Sequence, residues 1–160
     1  MTYVVAAGND NIDVAFVVPA AYDEVLTVTA VADFNGQPGG GAVATCLSDV
    51  DDTSADFSNF TLPGSSDEGH TIAAPGVCVL STWKGGGYNT ISGTSMASPH
   101  TAGIAALCIG TGICPGTPSD VINKLRFDAS VQLADYGFLG DPNNPIAGRY
   151  YGYLIYAGGY

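Results

Sequence analysis

Positive charge is scarce in this chain. Among 160 residues only Lys84, Lys124, Arg126 and Arg149 are cationic, against fifteen aspartates and glutamates, for a formal net charge of −11. Such a surface repels polyanions, so nucleic acid and anionic membrane are not expected partners. Acidic loops that keep a fold soluble account for the carboxylates, and cation binding is the competing reading. No apolar run approaches the length of a membrane span, so no transmembrane segment is expected. Met1 is not followed by a charged stretch and an apolar core, so no secretory leader is read at this end. None of the four cysteines has Cys-x-x-Cys spacing and no histidine pair matches them, which argues against a zinc site on the thiols.

What is present describes a folded α/β domain. Apolar residues make up 46% of the chain and glycine is abundant. The length suits one domain that buries about two-thirds of its unfolded surface. An even cysteine count in an acidic, lysine-poor chain favours an oxidising, extracellular setting, with Cys46–Cys78 and Cys108–Cys114 as the expected pairs.

Tyr3 to Ala7, rich in Val and Ala and stopped by Gly8, reads as a buried strand. Val25 to Ala32 reads as a second, parallel to it. Residues 9 to 23 are expected to be mostly loop. Gln37 to Gly41 and Ser48 to Ser58 form a long polar excursion whose clustered Asp49, Asp51, Asp52 and Asp56 suit surface decoration or a structural calcium ion. Thr71 to Ala74, Val77 to Thr82 and Tyr88 to Ser92 read as short strands. The last two are joined as a hairpin across Gly85, Gly86 and Gly87. Ser95 to about Ile109 is apolar nearly all round and is expected to be a buried helix. Thr117-Pro118-Ser119-Asp120 carries the cap signals of an outer helix running to about Arg126. The tail from Gly148 to Tyr160 holds five of the nine tyrosines and is expected to pack as a closing strand, with an aromatic surface as the other reading.

The most informative residue is Ser95, within Ile91-Ser92-Gly93-Thr94-Ser95-Met96-Ala97-Ser98-Pro99-His100. These small residues open an apolar helix and place a hydroxyl at its N-terminus. Free backbone N–H groups and the positive end of the helix dipole can there stabilise an oxyanion formed when the serine attacks a carbonyl.

The run Gly-Thr-Ser-Met-Ala-Ser-Pro-His resembles the nucleophile signature of subtilisin-like serine proteases (subtilases). Three other segments resemble that family in the same order. They are Val4-Val5-Ala6-Ala7-Gly8-Asn9-Asp10, Asp56-Phe57-Ser58-Asn59-Phe60, and Ala73-Ala74-Pro75-Gly76 followed by Leu80-Ser81-Thr82-Trp83. The resemblance covers about residues 3 to 126, with 127 to 160 a variable tail of the same single domain. It implies a three-layer subtilisin-like fold with a mostly parallel sheet, of which the chain holds the C-terminal portion. It also implies a secreted serine endopeptidase acting on protein or peptide substrates.

By the same resemblance Ser95 is the nucleophile and Asn9 the oxyanion-hole donor, while Ala6, Ala7 and Gly8 line one wall of the substrate pocket. The triad runs Asp, His, Ser in this family, and no Asp-x-Gly or His-Gly-Thr-His segment occurs here. His100 lies five residues past Ser95, where the helical repeat rotates it away, and it reads as a hydrogen-bonded packing residue. His70 precedes a strand. The missing N-terminal half is therefore expected to be required for activity. A non-catalytic binding module and a two-chain enzyme are the alternatives. No cofactor is expected for catalysis. The region around Tyr22, Asp23 and Val25 resembles a carbonyl-lined structural calcium site of some subtilases, although Thr71 stands where a carboxylate would help. The sequence assigns no metal ligands.

Overall fold

The computed structural model describes residues 1–133 and 135–160. Its central strand is β2, Val25–Ala32, every residue of which is buried. Strand β1, Tyr3–Ala6, pairs with it in parallel from Tyr3 opposite Val25 to Ala6 opposite Val28. Strand β4, Thr71–Pro75, pairs in parallel from Thr27 opposite Thr71 to Val31 opposite Pro75. A two-residue strand β3, Thr53–Ser54, lies antiparallel against the end of β2. The continuous Val, Leu, Thr and Ala run of β2 is what a strand covered on both faces requires. Its buried threonines are satisfied: Thr27 Oγ1 donates to the Ala20 carbonyl at 2.7 Å and Thr29 Oγ1 to that of Tyr151 at 2.6 Å.

One sheet face, with Leu26, Val28, Ala30, Ile72 and Ala74, packs on helices α1 (Thr94–Gly110) and α2 (Pro118–Ser130) through Ala97, Ala105, Val121 and Leu125. On the other face Val31 and Ala73 meet Phe138 and Tyr151. The layers are thus helices, a mostly parallel sheet, and a covering of coil, which is the expected α/β class.

The expectation of full burial for the first helix needs correcting. In α1 only Thr94, Ala97, Thr101, Ala105 and Cys108 are buried, at spacings of three and four. Ala102, Ala106, Leu107 and Ile109 on the rest of its circumference are exposed. The cause is one-sided packing, since its principal contacts are to β1, β2 and β4. Helix α2 runs a turn further than expected. It starts in a capping box in which Thr117 Oγ1 accepts the Asp120 N–H and the Asp120 carboxylate accepts the Thr117 N–H. Those bonds hold the Asp120 carboxyl below its ordinary pKa.

The expected hairpin is present as β5, Val79–Trp83, and β6, Gly87–Ile91, joined through Lys84–Gly86. It begins two residues later than the sequence pattern implied, after Cys78, whose φ is 55°. Both disulfides form as expected, Cys46–Cys78 and Cys108–Cys114. The tail makes isolated bridges, Thr61 with Tyr150 and Ala73 with Leu154, in place of a regular strand. Tyr151 is buried, edge-on to Phe60.

Candidate active site

Strand β1 delivers the chain into a tight turn at Ala7, Gly8 and Asn9. Gly8 has φ 103°, and a side chain there would overlap the Asn59 amide nitrogen. Asn59 is fully buried and holds the whole turn. Its Oδ1 accepts the N–H groups of Asp10 at 3.0 Å and Ile12 at 3.1 Å, its Nδ2 donates to the Ala7 carbonyl at 2.8 Å, and its own N–H donates to the Gly8 carbonyl at 3.0 Å. Beside it, buried Ser58 accepts the Ala30 N–H from β2 at 2.9 Å, fixing this corner to the sheet.

The start of α1 meets that turn from across the sheet. Both the N–H and the hydroxyl of Thr94 donate to Asn9 Oδ1 at 2.9 Å, and Thr94 Oγ1 accepts the Gly8 N–H at 3.1 Å. Because a backbone N–H can only donate, the Asn9 atom facing Thr94 is the amide oxygen. The other end, Nδ2, is turned toward the helix start. A methyl group built on Gly93 would lie 3.4 Å from Asn9 Nδ2 and 3.7 Å from the Ser95 nitrogen. The two nitrogens therefore border one small space. Ser95, at the second position of α1, has no carbonyl four residues back to take its N–H, and its side chain is exposed. No acidic residue occupies the first turn of α1 to cancel the positive helix end. Two fixed donors beside an accessible hydroxyl can hold the oxygen of a tetrahedral adduct.

Next to Asn9 and Gly93 opens a cavity of about 570 Å³, lined also by Cys46, Leu47, Phe57 and Ile91. The Cys46–Cys78 disulfide ties the acidic loop to the hairpin at this point. Ala6 and Gly8 are half-buried, while Ala7 is fully buried and packs with Val14 and Ala20.

His100 Nδ1 bonds the Met96 carbonyl at 2.8 Å, and its exposed ring borders a second cavity with Leu80, Trp83 and Ile91. His70 lies at the far end of the sheet, before β4. In the acidic loop Asp51 and Asp52 gather with Asp33, while Asp49 and Asp56 join no such group among the described residues. The gathering has a local cause. Asp51 accepts the N–H groups of Phe34 and Ala42, Asp52 that of Gly40, and Asp33 that of Gly36. Burial pushes the Asp52 carboxyl above its ordinary pKa. The positioning roles of Asn59 and Thr94 were not legible in the sequence. Both sit inside segments that carry the family resemblance, but their partners lie 47 to 86 residues away.

Comparisons with known proteins agree on one relationship. Residues 1–125 match the model of the Subtilase family. A subtilisin-like serine protease, AsES, of Sarocladium strictum is 39% identical, the match covering 79% of this chain and 31% of that protein. Subtilisin-like protease 2 of Pseudogymnoascus destructans is 40% identical over 91% of this chain and 30% of its own length. The match spans 31% of the length of the first of these relatives and as little as 22% of others. Among solved structures, a cold adapted subtilisin-like serine proteinase superposes with a TM-score of 0.65 at 30% identity, covering 98% of this chain and 45% of that one. Sphericase superposes with a TM-score of 0.65 at 27% identity, covering 95% and 46%.

Proposed function

The chain belongs to the subtilase family, and from that membership we propose that it supplies the nucleophile and the oxyanion site of a secreted serine endopeptidase. The observation that carries the proposal is that Asn9 Nδ2 and the Ser95 nitrogen lie 3.4 and 3.7 Å from one point, where a side chain on Gly93 would stand, beside the exposed Ser95. Ser95 Oγ attacks the carbonyl carbon of a peptide bond, and its proton passes to a histidine from outside these 160 residues. The carbonyl oxygen becomes an oxyanion held by Asn9 Nδ2 and the Ser95 N–H. The adduct collapses to an acyl-enzyme as the protonated histidine gives its proton to the leaving amine, and water then releases the acid by the same steps reversed.

Neither histidine present fills the role of base. His100 lies five residues beyond Ser95 on α1 with its ring bordering the cavity of Leu80 and Trp83, and His70 lies at the other end of the sheet. The Asp and His come from the upstream half of the domain, which also covers the exposed face of α1, and these residues alone are inactive. Ala6 and Gly8 form one wall of the pocket for the residue before the cleaved bond, and Ala7, buried against Val14 and Ala20, backs that wall from behind. Export is supported by the two disulfides.

The test is peptide hydrolysis by this chain alone and by the chain joined to the Asp- and His-bearing half of a relative. The chain alone should show no turnover above background, and the joined enzyme should hydrolyse peptides. Ser95→Ala should abolish that turnover, and Asn9→Ala should lower kcat by about 100- to 1,000-fold, the cost of one oxyanion donor. Robust hydrolysis by the chain alone, or by the joined Ser95→Ala enzyme, overturns the proposal.

A further inference from the structure

We propose that Asp23, Asp67 and His70 form a binding site for a divalent transition metal of the zinc class, which clamps together the N-terminal ends of β2 and β4. The site is independent of the peptidase reading. Asp23 lies two residues before β2, and His70 ends the short 3-10 segment Ser66–His70 that runs directly into β4. Asn9 follows the C-terminal end of β1, and the three strands run parallel, so the cluster sits at the opposite end of the sheet from Ser95.

His70 is 3% exposed, and neither of its ring nitrogens has a hydrogen-bond partner. Such a group is costly to bury without a function for its lone pair. Its Nε2 faces Asp67 Oδ1 at 3.5 Å and Asp23 Oδ1 at 3.6 Å, too far for good hydrogen bonds. Those separations suit a metal. Ligand atoms placed tetrahedrally at 2.0 to 2.1 Å from zinc stand about 3.4 Å apart, which the two histidine–carboxylate separations match, and all three ligand atoms lie within 4.8 Å of one another.

The donor chemistry selects the ion. An imidazole nitrogen at the centre of the group disfavours calcium and magnesium, which take oxygen, and favours zinc and its neighbours. On the β4 side the nearby carbonyls already accept side-chain hydrogen bonds. The Thr71 hydroxyl donates to the Asp67 carbonyl, and the Arg126 guanidinium donates to the carbonyls of Glu68 and Thr71. Among the described residues neither Asp23 nor Asp67 pairs with lysine or arginine, so two carboxylates face a histidine with no fixed cation between them. The Asp23 side chain is 76% exposed, which gives the ion a way in and a water molecule for its fourth position. Competing soft ligands are few: all four cysteines are in disulfides, and the Asp33, Asp51 and Asp52 group offers only oxygen.

The test is to strip the 160-residue chain with a chelator and titrate it with zinc chloride by calorimetry, with cobalt chloride as the spectroscopic probe. One equivalent of zinc should bind and raise Tm, and cobalt should give the visible absorption of a tetrahedral nitrogen and oxygen site. Asp23→Asn, at an exposed position that leaves the fold intact, and His70→Gln should each weaken zinc by more than the roughly 10- to 100-fold that outer-shell partners are worth. His100→Gln should leave binding unchanged. Absence of saturable binding, binding that survives both Asp23→Asn and His70→Gln, or calcium chloride binding as tightly as zinc overturns the proposal.

Discussion

Removing the Asn59 side chain tests whether the oxyanion site is built by the turn that carries it. Asn59→Ala deletes three hydrogen bonds at once, to the N–H groups of Asp10 and Ile12 and to the Ala7 carbonyl. Asp10 and Ile12 are exposed, so water can replace two of the three, and each of those costs about 0.5–1.5 kcal/mol. Ala7 is fully buried, so its carbonyl loses its side-chain partner where water does not reach, at about 1–3 kcal/mol. The total is about 2–6 kcal/mol, a large share of the roughly 5–15 kcal/mol that holds a domain folded. Asn9 sits inside the loosened turn, so kcat should fall toward the loss expected for Asn9→Ala while KM changes little. The assay is urea unfolding and steady-state peptide hydrolysis of the joined enzyme. Asn59→Asp is the companion variant. It keeps the acceptor for Asp10 and Ile12 but turns an oxygen on the Ala7 carbonyl, so it should be at least as damaging. A stability change below about 0.5 kcal/mol, with kcat unaltered in both variants, would refute the reasoning.

Two further predictions concern regions away from the site. Thr117→Ala removes the hydroxyl that caps α2 and should cost about 1 kcal/mol in urea unfolding, without affecting peptide hydrolysis. Asp52 is held above its ordinary pKa of 3.8 chiefly by burial, opposed by the Gly40 N–H and reinforced by the charges of Asp51 and Asp33. A carboxyl whose folded pKa is raised binds its proton more tightly when folded. Its contribution to stability is therefore full below 3.8 and is lost as pH rises through the folded value. Asp52→Asn keeps an acceptor for Gly40 and cannot ionise, so urea midpoints of the two proteins should coincide in acid and diverge in favour of the variant toward neutrality.

The sheet was legible because its signals are local: Val25 to Ala32 is an unbroken apolar and threonine run that only two-sided burial explains, and the strand bounds follow it to the residue. The α2 cap was equally plain, since Thr117, Pro118 and Asp120 act on one another within a single turn. The composition of α1 states what a helix can bury and not whether a neighbour stands on each side, so which of its sides is covered came from the fold. The tail failed as a strand for a similar reason. Its pairing to Thr61 and Ala73 depends on how residues far apart in the chain approach one another, and it amounts to single bridges. At the site, the family motif singled out Ser95 and Asn9, while Thr94 and Asn59 became meaningful only once the fold brought both elements to Gly8.

On the proposed reading, the contacts around Gly8 also explain how the oxyanion site can be built separately from the base. Every bond that orients Asn9 closes within these 160 residues: Thr94 fixes its amide oxygen, Gly8 is bonded to Thr94, and Asn59 binds the turn on both sides. The second donor, the Ser95 N–H, is fixed by the helix itself. Both donors are thus placed before any substrate arrives, which is the condition under which such dipoles stabilise charge without reorganising. A general base is different in kind, because it has to exchange a proton with Ser95 and with the leaving amine and so must approach from the open side of the hydroxyl. That side is free here, since Ser95 is exposed while Thr94 behind it is fully buried. If the proposal holds, the division is physical as well as sequential: the static part of the chemistry belongs to the β1 turn and the start of α1, and the mobile proton belongs to a group that stands opposite.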